Sequence, residues 1–160
     1  MRPNLPVYLK LAFIVLLLGS FFTQAEARKI TLGVKPGLHF DPKVLHVLPG
    51  EDVELTFDNS DVMMHNFVLV KPGARMEIVE AANALGEKGP ALHYVPDSAK
   101  VLASTPVVMP KKKSTIRFKA PSKEGKYPYV CTFPGHGFLM HGTLFVAKTE
   151  PKELTAGPAK

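Results

Sequence analysis

The chain has 160 residues, the size of one domain, with a formal net charge of +6 from 20 basic and 14 acidic side chains. This charge is modest, and no aromatic-interleaved basic stripe or nucleic-acid motif accompanies it, which argues against a nucleic-acid partner. The densest basic run, residues 111–113, is most simply a solvated loop. The only cysteine, Cys131, cannot form an internal disulfide, so the core alone has to stabilise the fold.

The N-terminal segment predicts a secretory signal peptide. The first ten residues carry two basic side chains and no acid, residues 11–22 are almost wholly apolar, and residues 25–27 (AEA) have the small-x-small pattern of a cleavage site. The apolar run is shorter than the roughly 20 residues that a membrane-spanning helix needs, although an uncleaved anchor is the alternative. We expect residues 1–27 to be removed on export to the periplasm or cell exterior, leaving a chain that does not insert stably in a membrane.

From residue 28 onward, apolar residues recur mainly with a period of two, which predicts short β-strands. In one such segment Val53, Leu55 and Phe57 lie on one face. Polar turns separate the segments, which favours an all-β Greek-key sandwich or barrel over parallel βαβ units. The predicted strands are 28–34, 43–48, 51–58, 65–71, 114–119, 127–132 and 143–148.

One segment has helical spacing instead. In residues 74–85 (ARMEIVEAANAL) the apolar side chains recur three or four positions apart, and Gly86 follows as a stop signal. We therefore predict a short helical insertion around residues 74–86. It belongs to a single domain, residues 28–149, which a flexible tail at 150–160, rich in Lys, Pro and Ala, follows.

The segment most informative about function is the loop CTFPGHGFLM, residues 131–140. It places Cys131, His136 and Met140 in C-x4-H-x3-M spacing between two predicted strands. A thiolate, an imidazole and a thioether suit copper in both oxidation states, and a His2Cys set with a weak axial Met is typical of a blue-copper electron-transfer site. The loop lacks the second histidine. His65 is the best candidate for it, because it follows a polar turn and begins an apolar strand.

Taken singly, each of these residues has an ordinary explanation. A buried cysteine is usually core, a loop methionine usually packs, and most histidines lie on the surface, as we expect for the four other than His65 and His136. The prediction of a metal depends on their joint occurrence in one Pro-Gly loop. Asn66 could hydrogen-bond backbone groups of Cys131 and Thr132, which would join the two halves of the site.

Several segments resemble azurins. CTFPGH, GFLM and HGTLFV resemble the azurin copper loop, MHNFVLV resembles the strand that carries the first copper histidine, and PDSAKV is similar to the segment after the helical flap. The resemblance covers most of the chain after residue 27. It implies a cupredoxin, a Greek-key β-sandwich that acts as a diffusible single-electron carrier. It also implies one type 1 copper ion with the ligands His65, Cys131, His136 and Met140.

Two departures from azurins are visible, and the resemblance also implies a docking surface. In azurins a glycine carbonyl before the first histidine makes a weak fifth contact; here that residue is Met64. The cysteine pair of the azurin disulfide is absent. Redox proteins such as cytochromes or respiratory enzymes would dock on an apolar patch around His136. Candidate members of this patch are Met63, Met64, Pro134, Gly135, Phe138 and Leu139.

Three other functions would use similar residues. A periplasmic copper chaperone or storage protein favours exposed Met- or His-rich tracts, which the sequence lacks. A multicopper enzyme needs a second metal centre, yet no histidine neighbours Cys131, and a binuclear copper site needs a second cysteine. A Cys–His hydrolase would lack an oxyanion loop and leave Met140 without a role. We therefore expect a carrier and no enzyme, with the copper chaperone as the alternative.

Overall fold

The computed structural model describes residues 26–150. The predicted signal peptide, apart from its last two residues, and the predicted tail after residue 150 lie outside the described residues. Within them the structure has one α-helix, α1 (Arg75–Asn83), and nine strands. The strands are β1 (Arg28–Lys35), β2 (His39–Asp41), β3 (Val44–Val47), β4 (Asp52–Asn59), β5 (Val68–Val70), β6 (Val101–Ser104), β7 (Lys112–Lys119), β8 (Gly125–Val130) and β9 (His141–Val146).

The strands form two sheets. One has the order β2-β1-β4-β7, and the other has the order β3-β9-β8-β5-β6. Two pairs are parallel, β1 with β4 and β3 with β9, while the remaining neighbours are antiparallel. Parallel partners cannot be joined by a hairpin, so the chain has to cross between the sheets. The predicted Greek-key sandwich is confirmed.

The core lies between the two sheets, where alternate residues of each strand meet. Val53, Leu55 and Phe57 of β4 are buried on one face, as their spacing predicts. Phe40 packs edge-on against Tyr129 of the other sheet, with ring centroids 5.1 Å apart. These apolar contacts supply the main stabilising free energy, since no disulfide is present among the described residues.

Helix α1 covers the outer face of the five-stranded sheet. Its residues Ile78 and Val79 pack against Val68, Val70 and Val130, whose side chains point away from the sandwich core. As a result β5 is buried on both faces, and the predicted helical insertion is confirmed. No helix between residues 26 and 150 has the length and apolar character that crossing a bilayer requires.

The seven predicted strands are present with shifted ends, and two strands were missed. β5 is shorter than predicted, because His65 makes only an isolated bridge with Val108 and the ladder starts at Val68. The missed strands, β2 and β6, have three and four residues and lie at the edges of their sheets. Short edge strands carry too few residues for an alternating pattern to be visible.

Candidate metal centre

Three of the four predicted ligands meet at one end of the sandwich. His65 precedes β5, Cys131 directly follows β8, and His136 lies in the loop between β8 and β9. The Nδ1 atoms of the two histidines are 3.1 Å apart. The Sγ atom of Cys131 lies 3.8 Å from Nδ1 of His65 and 3.7 Å from Nδ1 of His136. In the described part of the chain, no other three His, Cys, Asp or Glu side chains converge in this way.

The spacing of these three atoms fits a shared metal ion. Nitrogen and sulfur donors at 2.0–2.3 Å from one ion lie roughly 3.1–3.8 Å from one another when the angles at the ion are about 100–120°. His65 and Cys131 are fully buried, and His136 is only 9% exposed. Two imidazoles and a thiol aimed at one dry point are a donor set that suits copper.

Met140 closes the loop that carries Cys131 and His136. Its carbonyl accepts a hydrogen bond from the backbone N–H of Cys131 at 3.0 Å, and its own N–H donates to the carbonyl of His136 at 2.9 Å. The Met140 side chain is completely buried. The fourth predicted ligand therefore lies at the same buried end of the sandwich as the other three.

Helix α1 clamps this loop from outside. Arg75 Nη1 donates a hydrogen bond to the carbonyl of Gly137 at 2.9 Å. Gly137 lies so close to the helix that an added Cβ would be 2.5 Å from Cγ2 of Val79, so only glycine fits at this position. The loop segment after His136 is therefore held by both a hydrogen bond and a close packing contact.

Asn66 joins the two halves of the site. Its Oδ1 accepts the backbone N–H of Thr132 at 2.8 Å. Its Nδ2 donates to Thr132 Oγ1 at 2.8 Å and to the carbonyl of His93 at 2.9 Å. Asn66 is fully buried, so these bonds are protected from water. They fix the chain beside His65 to the chain beside Cys131.

Burial is the largest influence on the pKa values of Cys131 and His136. Desolvation raises the pKa of the Cys131 thiol to about 11, although the backbone N–H groups of Asn66 and Phe133 act in the opposite direction. Burial, and next the neighbouring His65, lowers the pKa of His136. His136 is thus favoured as the neutral imidazole that metals bind, while a metal has to displace the thiol proton of Cys131.

Asp61 is a contributor that the sequence did not reveal. Its Oδ2 lies 3.1 Å from Nε2 of His65, and its Oδ1 accepts the backbone N–H of Val62 at 2.6 Å. The Val62 N–H, and next the His65 side chain, lower the pKa of Asp61, which keeps the carboxylate charged. A carboxylate at Nε2 favours the proton on that nitrogen and leaves Nδ1 free for a metal. An acid four residues before His65 is the only signal that the sequence contains.

A second contribution comes from a strained corner at His93 and Tyr94. Both have positive φ, 51° and 56°, which is rare for residues other than glycine. This conformation brings the His93 carbonyl to Asn66 and the Tyr94 ring to Phe133, with centroids 5.1 Å apart. Phe133 in turn contacts His136 at 5.0 Å. Among the histidines outside the metal cluster, His93 reaches the site through its backbone carbonyl.

Exposed apolar side chains lie beside His136 in its loop. Phe138 and Leu139 are 56% and 60% exposed, and Pro134 and Gly135 in the same loop are also exposed. Met63 is exposed, whereas Met64 is half-buried. Two further exposed apolar residues, Val62 and Met109, lie near Met63: Val62 precedes it, and Asn59 Nδ2 donates to the carbonyls of both Met63 and Val108, the residue before Met109. We call these exposed residues, without the half-buried Met64, the apolar face.

The fold and the site define a cupredoxin. Residues 28–147 match the model of the family described as copper binding proteins, plastocyanin/azurin family. The chain belongs to this family, as the resemblance predicts, and its cofactor is copper.

Individual relatives agree with this assignment. The chain is 40% identical over 111 residues to auracyanin-A of Chloroflexus aurantiacus, covering 68% of this chain and 67% of the relative. It is 37% identical over 86 residues to azurin of Pseudomonas aeruginosa, covering 52% of this chain and 57% of the relative. The match thus spans between about half and two thirds of these proteins. A solved structure of auracyanin A, a "blue" copper protein from Chloroflexus aurantiacus, superimposes with a TM-score of 0.69 at 38% identity, covering 76% of this chain and 99% of that chain.

Proposed function

We propose that this protein carries single electrons between redox partners, with its copper held by His65, Cys131, His136 and Met140. The observation that carries the proposal is the convergence of two Nδ1 atoms and one Sγ atom within 3.1–3.8 Å of one another. When bound in such a site, copper supplies reversible one-electron oxidation and reduction. That the Met64 carbonyl makes a weak further contact with the copper stays a prediction.

The surrounding residues keep the donors in place whatever the charge of the site. Asn66 ties the two halves together, the backbone bonds of Met140 close the loop, and Arg75 fixes the segment after His136. Rigidly held ligands reduce the structural rearrangement that accompanies each electron transfer. Burial of His65, Cys131 and Met140 also keeps water away from the site.

His136 is the route by which electrons would pass to a partner. It is the one proposed ligand with an exposed edge, and its loop neighbours form the apolar face. A small apolar surface supports short-lived encounters with partners, which fits a carrier. Deep burial of the other donors disfavours a copper chaperone, because cargo has to leave its site easily.

We also propose that the protein works after export. The N-terminal order of basic, apolar and small residues supports removal of residues 1–27 and a periplasmic or secreted location. Domain boundaries at 28 and 149 would then enclose the whole β-sandwich. Mass spectrometry of protein recovered from the cell envelope would identify the mature N-terminus.

A redox titration tests the proposed function. The Cu(II)-loaded protein should be intensely blue, and the colour should disappear and return reversibly along a one-electron curve. Charge transfer from the thiolate of Cys131 is the reason for the colour. A colourless Cu(II) complex, or a curve that does not fit one electron, would contradict the assignment.

The axial role of Met140 predicts a shift in potential. Met140→Leu should keep the blue colour but raise the reduction potential, because a donor that favours Cu(II) is lost. We expect a rise of about 59 mV, which corresponds to a tenfold change in the preference between oxidation states. Met109→Leu, at an exposed methionine of the apolar face, is the matched control and should leave the potential unchanged. An unshifted potential in Met140→Leu would show that Met140 is not axial.

A further inference from the structure

The apolar face lies between two groups of cationic side chains. The first group is Lys111 and Lys112. The N–H of Lys112 donates to the carbonyl of Met109 at 3.1 Å, and Lys111 Nζ donates to the carbonyl of Ser60. The N–H of Lys111 donates to the backbone carbonyl of Asn59 at 2.8 Å. The side-chain Nδ2 of Asn59 in turn donates to the carbonyl of Met63. Both lysines are exposed and border the edge of the face that Met63 and Met109 form.

The second group borders the Phe138–Leu139 edge. Arg75 is anchored on the carbonyl of Gly137, and the N–H of His141 donates to the carbonyl of Leu139 at 3.1 Å. Lys43 lies at the same end of β9, because its carbonyl accepts the N–H of Thr143 at 2.9 Å. Burial, and next the charges of Arg75 and Lys43, lower the pKa of His141. Cationic groups therefore border the apolar face both at Met63 and Met109 and at Phe138 and Leu139.

Few carboxylates offset these charges. Asp61, whose charge also interacts with Lys111, is turned toward His65 and the Val62 N–H. Asp58 is paired with Lys113 at 2.7 Å, and Asp41 with Lys35 at 2.9 Å. Within residues 26–150 no ion pair engages Lys43, Lys111, Lys112 or Arg75. The surface that faces a partner is thus apolar at its centre and positive on two sides.

We propose that the redox partner presents an apolar docking face ringed by carboxylates, which the Lys111–Lys112 and Lys43–Arg75 groups attract and orient. This inference rests on the proposed electron-transfer function. Opposite charges around an apolar centre speed the encounter and select its orientation, while the apolar contact lets the redox centres approach. The basic run at residues 111–113, predicted to be a solvated loop, enters β7 at Lys112. Its first two lysines then have a role in recognition, while Lys113 is paired with Asp58.

Cytochrome c in two forms is a suitable probe. Native cytochrome c has lysines around its haem edge, and succinylation makes the same positions anionic without changing the shape of the protein. Stopped-flow electron exchange with the copper-loaded protein should be about tenfold faster for the succinylated form at low ionic strength. High salt should remove this difference, because it screens exposed charges.

Charge reversal tests which lysines are responsible. Lys43→Glu/Lys112→Glu changes one residue in each group, and neither side chain donates a hydrogen bond within the described chain. This variant should lose about tenfold in rate with succinylated cytochrome c and gain with the native form. Lys71→Glu/Lys123→Glu has the same charge change at the opposite end of the sandwich, beside the start of β8, and should change little.

The outcomes separate the two proposals. Equal rates for both cytochrome forms, or equal effects of the two double variants, would overturn the acidic partner and leave the electron carrier intact. If neither form exchanges electrons with the blue wild-type protein, the electron-transfer function itself is wrong, and the partner inference falls with it.

Discussion

Replacing Cys131 with serine should abolish the blue absorption of the Cu(II)-loaded protein completely. The colour requires charge transfer from a thiolate sulfur, and a serine oxygen is a hard donor that cannot supply it. The position is fully buried, so no other side chain can move in to replace the sulfur. Absorption and electron paramagnetic resonance spectra of the copper-loaded Cys131→Ser protein measure the effect.

The metal-free protein provides the control for this substitution. Serine is close to cysteine in size, and its hydroxyl can accept the backbone N–H groups of Asn66 and Phe133 that face the sulfur. Thermal unfolding of metal-free Cys131→Ser should therefore stay near that of metal-free wild type. A folded Cys131→Ser protein that is still blue would contradict the proposed ligand set.

The parts of the fold that the sequence predicts are those with local patterns. The strand containing Val53, Leu55 and Phe57 is visible because one face is buried and the other is not. Helix α1 is visible because Ile78 and Val79 recur with Ala82 at helical spacing on its buried face. The copper loop is visible because three donors of different chemistry fall within ten residues of one another.

What the sequence could not predict depends on contacts between distant segments. The positive φ values at His93 and Tyr94 occur without a glycine, so the sequence does not indicate them. The contacts of these two residues with Asn66 and Phe133 explain the conformation. The glycine at 137 is needed because Val79, on a separate helix, packs against it. Local pattern therefore identifies the ligands, while tertiary contacts determine how rigidly they are held.

Three segments with no proposed ligand of their own converge on the ligand-bearing chain. Helix α1 reaches the loop through Arg75, the corner at His93 reaches Asn66, and the turn before His65 supplies Asp61. Each restricts a different ligand or its neighbour, so none can be lost without freeing part of the site. The bonds between Asn66 and Thr132 join the two sequence-distant halves of the site directly.

Replacing Asn66 with alanine should therefore destabilise the metal-free protein strongly. The change removes three hydrogen bonds and leaves the Thr132 N–H buried without its acceptor. Since an unsatisfied buried group costs about 1–3 kcal/mol, we expect a loss near 3 kcal/mol in the free energy of unfolding. Urea unfolding of the metal-free wild-type and variant proteins measures the difference.

Thr132→Val is the matched control for Asn66→Ala. It keeps the shape of residue 132 and removes only the Oγ1 acceptor of Asn66 Nδ2, so the bond between Asn66 Oδ1 and the Thr132 N–H persists. We expect it to lower the free energy of unfolding by about 1 kcal/mol, the low end of the cost of an unsatisfied buried group, because Asn66 Nδ2 keeps its bond to the His93 carbonyl. The copper-loaded Asn66→Ala protein should also release its metal to a chelator faster than Thr132→Val, because the two halves of the site are no longer joined. Equal stabilities and equal release rates for the two variants would mean that Asn66 does not hold the site together.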